Sequence, residues 1–145
     1  MIQSANQWLK KLRLDTLLDL TGHDAPEDGP QILLRIQVKT ADYTVLLSDS
    51  GTLFTTYGDT GAIIFTLPAV IKKGFFALFA QSTDQNMTIT AGTADTLIAK
   101  NNLAADGTSL VTSSNKIGAL MLVFCDGNAY HAVNLGQHTE TVVDA

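Results

Sequence analysis

From Gln31 onward, apolar and polar residues alternate in short runs separated by turn chemistry. The pattern predicts strands over 32–38, 43–47, 53–57, 62–67, 75–81, 87–91, 96–99, 109–112, 119–124 and 129–135. Between them lie Asp49-Ser50-Gly51, Gly58-Asp59-Thr60-Gly61, Lys73-Gly74, Asp84-Gln85-Asn86, Asp106-Gly107 and Asp126-Gly127-Asn128. These residue types tolerate positive φ or close an Asx turn. Strands recurring about every ten residues with such punctuation predict an all-β protein, a compact antiparallel sandwich or barrel-like domain.

The first 22 residues follow a different period. Ser4 and Gln7 have capping-box spacing, Trp8, Leu9, Leu12, Leu17, Leu18 and Leu20 recur at intervals of three and four, and Gly22 is placed to end a helix. Leu14 widens the apolar stripe. Such a helix serves either as a lid on its own domain or as an arm that binds a partner. The segment His23-Asp24-Ala25-Pro26-Glu27-Asp28-Gly29-Pro30 reads as a linker. The expected organisation is therefore an arm over 1–40, a short helix or extended segment plus this linker, and a β-domain over 41–145 ending in a polar tail.

Alternation within the strands carries packing information. Ile63, Phe65 and Leu67 share one face, and Met87 and Ile89 oppose Thr88 and Thr90, so these strands read as half buried. Elsewhere both faces are apolar: Leu120, Leu122 and Phe124 lie opposite Met121, Val123 and Cys125, and the run Phe75, Phe76, Leu78, Phe79 behaves similarly. A strand apolar on both faces must be covered twice, and a sandwich of this size has little second-layer material. Association of subunits is the economical explanation; a helix lying over the outside of a closed barrel is the other.

Composition narrows the class. The chain has 145 residues, 46% of them hydrophobic, with a single cysteine and a formal charge of −5. That is enough for one well-buried core, and it excludes collagenous, disordered and disulfide-framework proteins. The apolar runs 75–80 and 119–125 are far shorter than the ~20 residues needed to cross a bilayer as a helix. Lys10, Lys11 and Arg13 follow Trp8 and Leu9 without a secretory h-region, so the expectation is a soluble protein made in a reducing cytoplasm. Twelve of the fourteen acids are Asp and eighteen residues are Thr, both biased away from helix. Residues 41–145 carry four Lys, no Arg and nine acids, so the whole net charge sits on the β body. Without a basic stripe, binding to nucleic acid is not expected.

Candidate chemistry is thin. His23, His131 and His138 with Cys125 lack the close paired spacing of a structural zinc site, and His131 reads as a surface or interface residue. Asp24, Glu27 and Asp28 lack the ligand alternation of a calcium loop and read as solvated linker. Asp49, Asp59, Asp84, Asp106 and Asp126 occupy turns where Asp has a local structural task; together with Asp95 they are the candidates for paired-carboxylate chemistry on a glycan, should they converge in space. No nucleophile elbow, phosphate loop, dinucleotide fingerprint or zinc-protease motif is present. Cys125, ending an apolar strand, reads as a buried inert thiol. No cofactor, no metal and no enzymatic activity are expected.

Residues 41–136 resemble a small β-domain of tailed-bacteriophage virion proteins, chiefly capsid decoration (cement) proteins and some fibre or spike proteins. The matching pieces are Ala41-Asp42-Tyr43-Thr44-Val45, Ser48-Asp49-Ser50-Gly51-Thr52-Leu53-Phe54 and Gly61-Ala62-Ile63-Ile64-Phe65-Thr66-Leu67-Pro68. They continue through Gly74 to Phe79, Asp84-Gln85-Asn86-Met87-Thr88-Ile89, Ile117-Gly118-Ala119-Leu120 and Asp126-Gly127-Asn128-Ala129-Tyr130. Tyr130 stands where such domains often carry Trp, and the first 40 residues fall outside the resemblance.

The resemblance implies a β-tulip-like domain assembled as a homotrimer, a structural subunit on the outer surface of a phage head at capsomer junctions. Its partner would be the major capsid protein, with assembly in the host bacterial cytoplasm. On that reading Trp8, Leu9, Lys10, Lys11, Leu12, Arg13 and Leu14 form a capsid-contact arm, the cations pairing with acidic capsid surface. Phe76, Met121 and Val123 are then the expected trimer interface. Two other classes use the same scaffold: a fibre or spike module binding host carbohydrate, which calls for exposed aromatic rings, and a glycan-processing domain, which calls for clustered Asp.

Overall fold

The computed structural model describes residues 34–110, 117–136 and 139–144. Among these residues twelve strands are formed: β1 (Arg35–Val38), β2 (Tyr43–Thr44), β3 (Thr52–Thr55), β4 (Ile63–Thr66), β5 (Phe76–Ala80), β6 (Met87–Thr90), β7 (Leu97–Ala99), β8 (Asn102–Ala105), β9 (Gly107–Leu110), β10 (Leu120–Cys125), β11 (Tyr130–Asn134) and β12 (Thr141–Val143). One 3-10 turn, Leu47–Asp49, lies between β2 and β3. A seven-stranded sheet runs in the order β1-β3-β5-β10-β11-β7-β8 and a five-stranded sheet in the order β12-β9-β6-β4-β2. The all-β, sandwich-like expectation is met.

The antiparallel expectation is not. Among the described residues five of the ten strand pairings are parallel: β1 with β3, β3 with β5, β2 with β4, β4 with β6, and β7 with β11. The cause is the path of the chain. Strands β1 to β7 alternate between the two sheets, and from β1 to β6 each strand lies beside the one two positions along and runs the same way, while β7 takes its parallel partner from β11. The connections Gly58–Gly61, Lys73–Gly74 and Asp84–Asn86 are therefore arches that carry the chain across the core. Asp126–Asn128, joining β10 to β11, is a true hairpin, built on the Asp126 carboxylate accepting the Asn128 and Ala129 N–H groups at 2.7 and 3.0 Å.

The core fills the space between the sheets. Phe54 on β3 and Phe79 on β5 stack at 5.4 Å, and both reach Phe65 on β4 of the other sheet, at 5.6 and 5.0 Å. Tyr43 closes the cluster at 5.5 Å from Phe54. At the far end Tyr130 packs edge-on against Phe75 and donates its hydroxyl to the Val70 carbonyl at 3.0 Å. Buried polar side chains shape the arches: Asp49 accepts the Leu46 N–H and the Tyr43 hydroxyl, and Gln81 donates to the Thr83 and Gln85 carbonyls. Gly92 lies against the end of β4, where a Cβ would come within 2.2 Å of the Leu67 carbonyl oxygen.

Three boundaries differ from the sequence expectations. Residues 34–145 cluster as one compact unit and β1 is an edge strand of the larger sheet, so the domain starts by Leu34 rather than at 41. The polar tail contributes β12, which pairs antiparallel with β9. Asn102–Ala105, too rich in Ala and Asn to register as a strand, forms β8 by pairing with β7.

Candidate interaction surface

Strand parity divides each sheet into a core face and an outer face, and the two outer faces differ in chemistry. On the five-stranded sheet, Thr44 lies beside Thr66 and Thr66 beside Thr90. Next to that row Ile64, Thr88, Ser109 and Thr141 follow one another, with Thr88 and Ser109 hydroxyls 2.8 Å apart and Ser109 itself buried by its neighbours. This face is mostly hydroxyl groups. Much of the Thr excess is spent here, where β-branching suits the pleat and the hydroxyl suits water.

The outer face of the seven-stranded sheet is apolar. Ile36, Leu53, Leu78, Leu122 and Val133 lie directly opposite one another across five adjacent strands. A second row runs Phe76, Phe124, His131, Ile98 over β5, β10, β11 and β7. Ala80 and Leu120 pair alongside the first row. Phe76 is 39% exposed, Phe124 36% and Val133 40%, while Leu53, Leu78 and Leu122 are half buried by their neighbours. On β1, β3, β5, β10, β11 and β7 no outward position is Asp, Glu, Lys or Arg.

His131 is the one titratable side chain on this face. Its ring stacks flat on Phe124, centroids 4.7 Å apart and planes within 2°, and its Nε2 lies 3.1 Å from the Asp126 carboxylate. Asp126 is held down at about 2, first by the Ala129 and Asn128 N–H bonds and then by His131. The His is thereby tied to the hairpin and laid along the sheet, consistent with a surface or interface position for it.

The structure sorts the expected interface residues. Phe76 is outward. Met121 and Val123 are fully buried, aimed between the sheets beside Phe79 and Ala77 on β5, so neither offers surface to a partner; the outward residues of this strand are Leu120, Leu122 and Phe124, its other parity. Alternation showed two apolar sets on β10 but could not say which set faces in. That choice is made by the aromatic cluster on β3, β4 and β5. The arm residues Trp8 to Leu14, the acids Asp24, Glu27 and Asp28, and His23 and His138 lie outside the described residues.

Several of the remaining candidates have local roles. Cys125 is a buried free thiol whose sulfur accepts the Gly127 N–H. Asp49 and Asp126 hold turns as described, Asp59 accepts the Thr83 hydroxyl, and Asp106 accepts the Asp95 N–H. No group of three or more His, Cys, Asp or Glu among the described residues is placed to hold a metal ion. A shallow groove of about 510 Å³ runs between 44–48 and 68–70, lined by Val45, Leu46, Pro68 and Val70 among others. No family model and no curated protein matches this chain.

Proposed function

We propose that this chain is a non-enzymatic structural subunit, a homotrimeric decoration or cement protein on the outer surface of a tailed-phage head that reinforces capsomer junctions. The observation that carries the reading is the contrast between the two outer faces: one sheet turns hydroxyls to water, and the other turns an uncharged apolar face outward. A lone domain gains nothing from such a face, whereas an assembled one needs it. The resemblance of residues 41–136 to phage virion β-domains supplies the particular assembly, the major capsid protein as partner and a site of assembly in the host cytoplasm. Rigid arches and short strands suit a compact knob, and the lone buried thiol suits a reducing compartment.

Cosedimentation with empty capsids, read together with a mass measurement, tests this. A trimer that pellets with capsids is the expected result, and a protein that stays in the supernatant at every ratio overturns the reading. Deleting 1–22 is expected to abolish capsid binding and leave a folded trimer. Retained binding, or loss of folding, refutes the role given to Trp8, Leu9, Lys10, Lys11, Leu12, Arg13 and Leu14.

A second reading, a fibre module that binds host carbohydrate, draws on Tyr57. At 73% exposure beside the β3–β4 arch, it is the most exposed aromatic ring among the described residues. Glycan-array binding abolished by Tyr57→Ala would favour that reading over the cement role.

A further inference from the structure

We infer that the outer face of the seven-stranded sheet is where copies of this chain associate, with Leu78 and Leu122 at the centre of the contact. The inference rests on the homo-oligomeric part of the reading above and adds which surface is used.

Size is the first argument. Strands lie ~4.8 Å apart and rise ~3.4 Å per residue. The eleven outward residues of the three rows, each taking about 4.8 by 6.8 Å of sheet, therefore cover roughly 360 Å² in plan. That matches the apolar centre of a standard interface, which buries about 800 Å² per partner including its polar rim. The patch is continuous, because its rows are built from directly opposed residues rather than scattered ones.

Charge and shape choose the occupant. With no Asp, Glu, Lys or Arg at its outward strand positions, the face offers no sign for a charged partner to match. Nor is it a groove: the sheet presents a pleated plane, which fits another pleated plane better than a single helix or peptide. A second copy carries such a plane by necessity, and symmetric association of identical chains needs only that apolar surface meet apolar surface.

The test is light scattering on the full chain across a concentration series, with Leu122→Lys, Leu78→Lys and, on the hydroxylated face, Thr88→Lys. The wild type and Thr88→Lys are expected to share one mass, a multiple of 15.5 kDa. Leu122→Lys and Leu78→Lys are expected to weaken association by at least ~100-fold, the scale of burying an unpaired charge. Cooperative urea unfolding of each variant establishes that it is folded, and Leu122→Ser, smaller and neutral, replaces any lysine variant that is not. A wild type that stays at 15.5 kDa overturns the inference, including the case in which residues 1–33 cover the face within one chain. Folded Leu122 and Leu78 variants of unchanged mass also overturn it. Capsid cosedimentation separates the two proposals: an oligomer dissolved by Leu122→Lys that ignores capsids keeps this inference and sinks the cement role, and the opposite pattern does the reverse.

Discussion

The sharpest test of the fold is a pair of neighbouring substitutions on β4. Phe65 is fully buried and touches Phe54 and Phe79 of the opposite sheet, whereas Ile64, one residue earlier, is 42% exposed on the hydroxylated face. Phe65→Ala removes a buried ring and both inter-sheet aromatic contacts. Large-to-small changes of this kind cost about 3–5 kcal/mol, with ~0.5–1.5 kcal/mol of aromatic pairing folded into that loss, so about 4 kcal/mol is expected. Against a typical domain stability of about 5–15 kcal/mol, the variant should be marginal. Ile64→Ala keeps the backbone bond from its N–H to Asp42 Oδ1 and should cost less than ~1 kcal/mol. Urea unfolding gives both numbers, provided the slopes match the wild type and several protein concentrations separate folding from association. Equal losses, or a larger loss at Ile64, would refute the argument, because they mean the strand lies one residue out of register and presents its other face to the core.

Three further outcomes follow from the packing and hydrogen bonds of the fold. Gly92→Ala drives a Cβ into the Leu67 carbonyl and the Ala69 backbone, neither of which can swing aside as a side chain tip would; thermal unfolding should show a loss of about 1–3 kcal/mol, and an unchanged midpoint contradicts the close approach. Asp126, depressed from 3.8 to about 2 by the Ala129 and Asn128 N–H bonds and by His131, binds its proton less tightly when folded. Its stabilising contribution is therefore present above about 4 and fades as pH falls towards 2, so the stability gap between wild type and Asp126→Ala should narrow across that window, and a constant gap would exclude the linkage. Burial pushes the Tyr130 phenol up to about 12, with the sign reversed: its contribution holds below pH 10 and is lost as pH rises towards 12. Tyr130→Phe removes the bond to Val70 and should cost about 1 kcal/mol at neutral pH, and alkaline absorbance titration should lose one late-ionising phenol.

How far the sequence could be read varies from element to element. Strands such as 63–66, 87–90 and 120–125 announce themselves by alternation and flanking turn residues. β8 and β12 do not, since Asn102–Ala105 is poor in strand-forming residues and Thr141–Val143 spans three residues of a polar tail; β8 forms by pairing with β7 just before it, and β12 by pairing with β9, more distant in the chain. The arches were equally opaque. Gly58-Asp59-Thr60-Gly61 and Asp126-Gly127-Asn128 look alike as turn chemistry, yet one crosses the core and the other closes a hairpin, because Gly and Asx residues supply local backbone freedom without saying where the next strand goes.

The candidate surface shows the same division. Sequence by itself determined that β5 and β10 are apolar on both sides, that the net charge belongs to the β body, and that the Thr excess suits pleated, half-buried strands. Only the tertiary structure decided that Met121 and Val123 turn inward and Leu120, Leu122 and Phe124 outward, and that Leu53, Leu78, Leu122 and Val133 line up across strands far apart in the chain. The reason is that side-chain parity along a strand is a local property with two equivalent solutions. The choice between them is made by the contacts of Phe54, Phe65 and Phe79 across two sheets, and those depend on a chain path that no local pattern encodes.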